Sequence, residues 1–269
     1  MYWTDYHHHT NNSFDSKAVM DEVCAKAVEK GIDEICFTEH FSVNPKAPTY
    51  GHMDFSKYIS DIQHAKSKWQ DNLKIKMGIE LCEPHLMKDK YKEGLDGIEF
   101  DFILGSIHNI QEEKLRKYLF DKENHAAYLG YFEEVLKLVT NADIDVLAHF
   151  DLLKRYAMAK IGNYNVKDME EIIRHVLHQA IKRDIGLEIN TSGFASQSVG
   201  EAFPRIELLK LYKQMGGEIL TIGSDSHRVE TVGNYFNEAL KMAKEAGFSY
   251  IYTFDKRKPE PIRMDDFIL

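Results

Sequence analysis

Tyr2-Trp3-Thr4-Asp5-Tyr6-His7-His8-His9-Thr10 opens the chain, and the reading of this stretch decides the fold. It mixes aromatic and polar residues as a short β-strand running into a loop does. Side chains on a strand alternate faces, so His7 and His9 point one way and His8 the other. Two imidazoles on one face, about 6–7 Å apart along the backbone, suit two bonds to one metal ion. A polar strand with solvated histidines, or the remnant of a tag, would carry the same letters. Strand ends elsewhere in the chain decide between these readings.

The segments 32–38, 74–81, 100–107, 144–148, 186–190 and 218–223 read as further strands, and helical stretches alternate with them. Asp15-Ser16 reads as a cap for a helix with Val19, Val23 and Ala27 on one side and Gly31 as its stop. Residues 54–69 place Phe55, Tyr58, Ile59, Ile62, Ala65 and Trp69 on one face. Later helical stretches are 125–140, the stripe Met169, Ile173, Val176, Leu177 and Ala180, a helix after Pro204, and the stripe Val232, Phe236, Ala239, Leu240 and Ala243. Residues 250–254 give a last strand, and the tail with Pro259 and Pro261 reads as irregular. Seven strands, each followed by a helix, predict an α/β parallel sheet closed as a TIM-like barrel, one domain over residues 1–269.

Composition narrows the function. Apolar residues make up 43% of the 269 and charged ones 29%, enough for a sizeable core. A net charge of −9 without a basic run argues against nucleic acid as a partner, since phosphate backbones need a positive footprint. Cys24, Cys36 and Cys82 are scattered, so neither a disulfide framework nor a cysteine zinc site is expected. No signal segment or long apolar run appears, so a cytoplasmic protein without a membrane partner is expected.

The polar residues then fall into place. His7 and His9, Glu39-His40, Glu80, His108, His149, and Asp225 with His227 lie at or just past the C-terminal ends of predicted strands. In a β/α barrel these ends form one rim, where active sites are built. Imidazole with carboxylate and without thiolate favours zinc, manganese or iron.

The segments His7-x-His9-Thr10, Thr38-Glu39-His40, Gly78-Ile79-Glu80, Gly105-Ser106-Ile107-His108, Ala148-His149 and Gly223-Ser224-Asp225-Ser226-His227 resemble the motif series of the PHP phosphoesterase family. Residues 145–152 and Glu188-Ile189-Asn190-Thr191-Ser192-Gly193 are most similar to its histidinol-phosphatase branch. The resemblance implies a distorted (β/α)7 barrel and hydrolysis of L-histidinol phosphate, a small phosphomonoester, in histidine biosynthesis. It implies three divalent metals: one on His7, His9, Glu80 and Asp225, a second sharing Glu80 with His108 and His149, and a third on His40, His227 and Asp15. Asp15 as a plain helix cap stays open beside this, as does Glu39 as a group orienting His40. Ions held close together lower the pKa of a water, neutralise phosphoryl oxygens and stabilise a leaving alkoxide. Asp225 or His227 would protonate the departing oxygen. Arg155 is the candidate phosphate contact, because its fork matches two oxygens at once. Lys160, Arg205 and Arg263 are substitutes without motif support, and Glu83 or Glu112 would meet the substrate's ammonium group. His8, His64, His85, His125, His175 and His178 read as structural or solvated. Two rivals remain: another activity of the family, such as a nucleotide phosphodiesterase or exonuclease, or a non-catalytic metal-binding accessory domain.

Overall fold

The computed structural model describes residues 2–264. In chain order the strands are β1 (Thr4–His8), β2 (Glu34–Phe41), β3 (Lys74–Cys82), β4 (Phe102–Ser106), β5 (Asn109–Ile110), β6 (Glu113–Lys114), β7 (Val146–Leu147), β8 (Gly186–Asn190), β9 (Leu220–Gly223), β10 (Tyr250–Asp255) and β11 (Lys258–Arg263). The helices are α1 (Met20–Lys30), α2 (Phe55–Trp69), α3 (Lys88–Gly94), α4 (Leu115–Tyr118), α5 (Asn124–Asn141), α6 (Lys154–Ile161), α7 (Glu170–Lys182), α8 (Ile206–Gln214) and α9 (Phe236–Glu245). Seven strands form one parallel sheet in the order β1-β2-β3-β4-β7-β8-β9. His8 bridges Ser226 in parallel, and the His9 N–H donates to the Ser226 carbonyl at 2.9 Å, so the last strand nearly meets the first. The architecture is the expected distorted seven-stranded barrel.

Two apolar layers follow. Helix stripes such as Val23, Cys24 and Ala27 on α1 pack against the outer face of the sheet. Inside the barrel, Tyr6, Cys36, Phe102, Leu104, Val146 and Ala148 meet Phe254 from β10. The Phe254 ring centroid lies 4.8 Å from that of Phe102, and its N–H donates to the Tyr6 hydroxyl at 2.8 Å. Phe254 therefore joins the barrel's interior packing from outside the seven-stranded sheet.

That closure corrects one expectation. Instead of an irregular tail, residues 258–263 form β11, paired antiparallel with β10, with Phe254 opposite Pro259 and Tyr252 opposite Pro261. Alternate residues of a strand turn their N–H groups to the same side. Two prolines spaced by two therefore fit an edge strand whose outward side needs no donors. A second correction concerns Asp15-Ser16, which caps nothing: α1 starts at Met20 behind Val19. The Ser16 hydroxyl instead donates to the carbonyls of His9 and His227, each at 3.1 Å, which ties the loop after β1 to the rim. Val232 also precedes α9 rather than lying on it.

Candidate metal centre

Strand periodicity delivers the side chains. Glu80 and Cys82 share the inward face of β3, and His40 lies near the end of β2. His108 and His149 follow β4 and β7, and Asp225 and His227 follow β9. Register along β1 shifts between Asp5 and His8, so Tyr6 fills the barrel while His7 and His9 still turn toward the rim. Gly223 is required here, because a Cβ on it would stand 2.3 Å from the His7 Cβ and 2.4 Å from Glu188 Oε1. His149 and Asp225 have left-handed backbones, at φ 27° and 51°, a strained conformation for such residues.

Glu80 is the hub. Its Oε2 lies 2.8 Å from His40 Nδ1, 3.3 Å from His7 Nε2 and 3.4 Å from His9 Nε2. Its Oε1 lies 3.0 Å from His149 Nε2 and 3.6 Å from His108 Nε2. Asp225 Oδ1 approaches His9 Nε2 at 3.5 Å and His7 Nε2 at 3.6 Å. Asp15 Oδ2 stands 3.4 Å from His227 Nε2 and 3.6 Å from His40 Nε2. The nine residues that the resemblance names as metal ligands, Asp15 among them, thus lie in one cluster. Glu39 touches no imidazole. It accepts from the Thr10 and Ser13 hydroxyls at 2.6 Å, and Ser13 in turn accepts the His40 N–H at 2.9 Å. Through Ser13, Glu39 thus holds the His40 backbone and meets the His9 ring at one remove.

Proton accounting shows what this cluster lacks. His7 Nδ1 donates to Glu188 Oε1 at 2.6 Å, and His9 Nδ1 meets Ser13 Oγ at 3.1 Å. Ser13 spends its own proton on Glu39, so His9 is the donor there. With Nδ1 protonated on both rings, their Nε2 lone pairs face each other 3.0 Å apart. Such a pair needs a cation between or beside its members, or a borrowed proton. Burial pushes His7 down, yet the carboxylates of Glu188, Asp225 and Glu80 outweigh it and hold its pKa well above the usual imidazole value. Burial and the neighbouring His40 and His227 hold His9 well below. Glu80 sits far below the ordinary carboxyl range despite its burial, because His40, His7 and His108 surround it. Among the described residues four groups bring their ligand atoms within 4.8 Å of one another: His7, His9 and Asp225; Glu80, His108 and His149; His9, His40 and His227; and His40, Cys82 and His108. A thiol therefore stands at the rim, contrary to the expected thiol-free set. Its signal was its position two residues after Glu80 on the same strand.

Arg155, in the first turn of α6, lies beside this cluster. Its Nη2 donates to Ser192 Oγ at 2.5 Å and lies 3.4 Å from Asp225 Oδ2. It lines a cavity of about 370 Å3 together with Phe14, Thr49, Asn109, Leu115 and Tyr156. Lys114 and Arg116, which the sequence reading passed over, line it too. Lys160, Arg205 and Arg263 are not in its wall. Glu83 is buried under the rim, accepting the Asn109 N–H at 2.8 Å, and Glu112 pairs with Lys46, so neither faces the cavity. His8 is buried rather than solvated, with its edge against Phe37 and both ring nitrogens unpartnered.

Fold and rim together define a β/α-barrel protein built around a histidine–carboxylate cluster with a guanidinium at its side. Residues 5–192 match the family model of the PHP domain, and the chain belongs to that family. It is 28% identical to the histidinol-phosphatase of Lactococcus lactis subsp. lactis, covering 94% of this chain and 95% of that one. It is 32% identical to a probable histidinol-phosphatase of Clostridium acetobutylicum, covering 94% and 97%. The crystal structure of the Lactococcus lactis histidinol phosphate phosphatase, complexed with zinc, L-histidinol and phosphate, superposes with a TM-score of 0.88 at 27% identity, covering 96% and 98%. Among the described residues no helix is long and apolar enough to cross a membrane.

Proposed function

We propose that this chain is a histidinol-phosphatase, a phosphoric monoester hydrolase acting on L-histidinol phosphate in histidine biosynthesis in the cytoplasm. The observation that carries the reading is the pair of facing Nε2 lone pairs of His7 and His9 beside two carboxylates, with Arg155 at the edge of the same cluster. Full-length similarity to relatives of that name supports it. So does the fold shared with a phosphatase whose crystal structure holds zinc, L-histidinol and phosphate.

The donor set fits divalent ions, since converging imidazole and carboxylate groups suit zinc, manganese or iron. His7, His9, Glu80 and Asp225 would hold one; Glu80, His108 and His149 a second; His40, His227 and Asp15 a third. Bound there, the ions supply Lewis-acid polarisation of the phosphoryl group and acidify a water. The protein does the rest. Arg155 takes phosphoryl oxygens and orients the phosphorus over the cluster. Asp225 stays ionised, because His7, His9 and Arg155 offset its burial and hold its pKa well below the carboxyl norm. It therefore accepts rather than delivers protons. His227 opposes its own burial through Asp15 and Asp225, and its raised pKa suits it to carry a proton to the departing oxygen. Its Nε2 serves one role at a time, closing the third group or carrying that proton.

Steady-state rates with metal-loaded protein test the reading. The expected kcat/KM for L-histidinol phosphate exceeds that for an aryl phosphate by about 100-fold or more, because the remote part of the substrate contributes transition-state binding. A chelator should abolish both rates. A nucleotide or phosphodiester as best substrate would overturn the assignment, and activity that survives complete metal removal would overturn the metal centre.

A further inference from the structure

We infer that Ser192 is a positioning residue, which holds the Arg155 guanidinium off Asp225 and in line with the metal groups; this rests on Arg155 being the phosphate contact. Glu188, Asn190 and Ser192 are alternate residues of β8 and of the short 3-10 turn, Thr191–Ala195, that continues it. Alternation puts Glu188 and Asn190 on the barrel's inner side, and the turn sets Ser192 beside them, so the three form one hydrogen-bonded file. At one end, Glu188 Oε1 accepts from His7 Nδ1 at 2.6 Å, and Oε2 accepts the His149 N–H at 2.8 Å. Asn190 Nδ2 donates to Glu188 Oε2 at 3.1 Å, which turns its Oδ1 to Ser192. The Ser192 hydroxyl donates to that oxygen at 2.5 Å and accepts from Arg155 Nη2 at 2.5 Å.

The direction of this file is fixed from both ends. A guanidinium can only donate and a carboxylate can only accept, so each donor points toward Glu188. Nothing in it can reverse to relay a proton. What it carries is position, from the rings of the metal cluster to the phosphate contact. The guanidinium packs 5.0 Å from the Phe203 ring on another side. Asp225 Oδ2 lies 3.4 Å from both Arg155 Nη2 and Ser192 Oγ. The carboxylate attracts the guanidinium more strongly than a hydroxyl does. Without the Ser192 oxygen, Arg155 collapses onto Asp225, and the pair withdraws charge from both phosphate and metal. With it, Ser192 and Asp225 are both met by Nη2, and the Nε and Nη1 hydrogens are left for phosphoryl oxygens.

The test compares Ser192→Ala, Ser192→Thr, Arg155→Ala and the Ser192→Ala/Arg155→Ala double variant, all metal-loaded. Readouts are kcat/KM for L-histidinol phosphate, inhibition by inorganic phosphate, and bound metal. Ser192→Ala should lower kcat/KM about 5- to 20-fold and weaken phosphate inhibition in step, with full metal content. Ser192→Thr should restore most of the loss. On the Arg155→Ala background the same change should cost under about twofold, because the residue acts through Arg155. Additive losses in the double variant, metal loss in Ser192→Ala, or a Ser192→Ala enzyme within twofold of the parent would each overturn the proposal. Arg155→Ala within twofold of the parent would instead remove the phosphate reading beneath it, so the two failures can be told apart.

Discussion

Asp5 and Glu80 are both shut off from solvent, at 1% and 0% exposure, and they titrate in opposite directions. Asp5 sits at the seam between the first strand and the residues after β9. It accepts the Ser224 N–H and the Gly233 N–H, each at 2.8 Å, and the Ser224 hydroxyl at 2.6 Å. These donors are neutral, so burial still prevails and its pKa is raised. Glu80 meets imidazoles instead, and these hold it ionised against the same burial. Geometry is satisfied at both places, but at the seam neutral donors suffice, whereas at the rim the facing imidazoles need a proton or a cation. A buried carboxylate fed by backbone N–H groups fixes shape. One ringed by imidazoles stays ionised through the positive charge, proton or metal, that those rings hold, and suits a cation site.

The strongest break of this contrast is Glu80→Gln. Loss of an outer partner of a metal ligand costs 10- to 100-fold, so loss of a shared direct ligand should exceed about 100-fold in kcat. Bound metal, measured by elemental analysis, should fall with it. A variant with full metal stoichiometry and full rate would show that Glu80 does not bridge two groups.

Asp5→Ala should act on stability instead. It strands the backbone N–H groups of Ser224, Gly233 and His7 and a hydroxyl in a dry seam, at a cost of about 3 kcal/mol in urea unfolding. The fraction that remains folded should keep near-normal metal content. A change below about 1 kcal/mol would mean that the seam closes without this carboxylate.

Glu83 gives the sharpest effect, read as a slope against pH. It resembles Asp5 in accepting the His108 and Asn109 N–H groups, and burial raises it to about 7. A carboxyl whose folded pKa lies above its unfolded one binds a proton on folding. Stability therefore falls as pH rises from the unfolded value, about 4.5, through 7. Glu83→Gln should remove that slope, gaining up to about 3 kcal/mol at pH 8 relative to pH 4 against the parent. Parallel stability curves for parent and variant would place Glu83 with Glu80 rather than with Asp5.

Much of the rim was legible because each of its residues closes a strand. His108 and His149 follow short apolar runs, and His227 follows the run that ends at Gly223. Asp15 was ambiguous because a carboxylate before a helical stripe reads equally as a cap. The start of α1 at Met20 excludes that role, and the approach of Asp15 to His40 and His227 depends on the loop after β1, the end of β2 and the loop after β9 meeting. Lys114 and Arg116 were missed because the two-residue strands β5 and β6 leave no periodic trace.

By itself the sequence determined the alternation of strands and helices, the barrel, and the residue types at its rim. Those follow from local periodicity and from the chemistry of imidazole and carboxylate. The tertiary structure decided what depends on residues far apart in the chain. It turned Tyr6 inward through a register shift against β2 and brought Phe254 of the β10–β11 hairpin into the barrel interior. It also set Cys82 beside His40 and aimed the Nε2 atoms of His7 and His9 at each other. The reason is physical: periodicity fixes which face a side chain takes, whereas the direction of a lone pair is fixed by the partner that holds the opposite nitrogen. For His7 that partner is Glu188, 181 residues away.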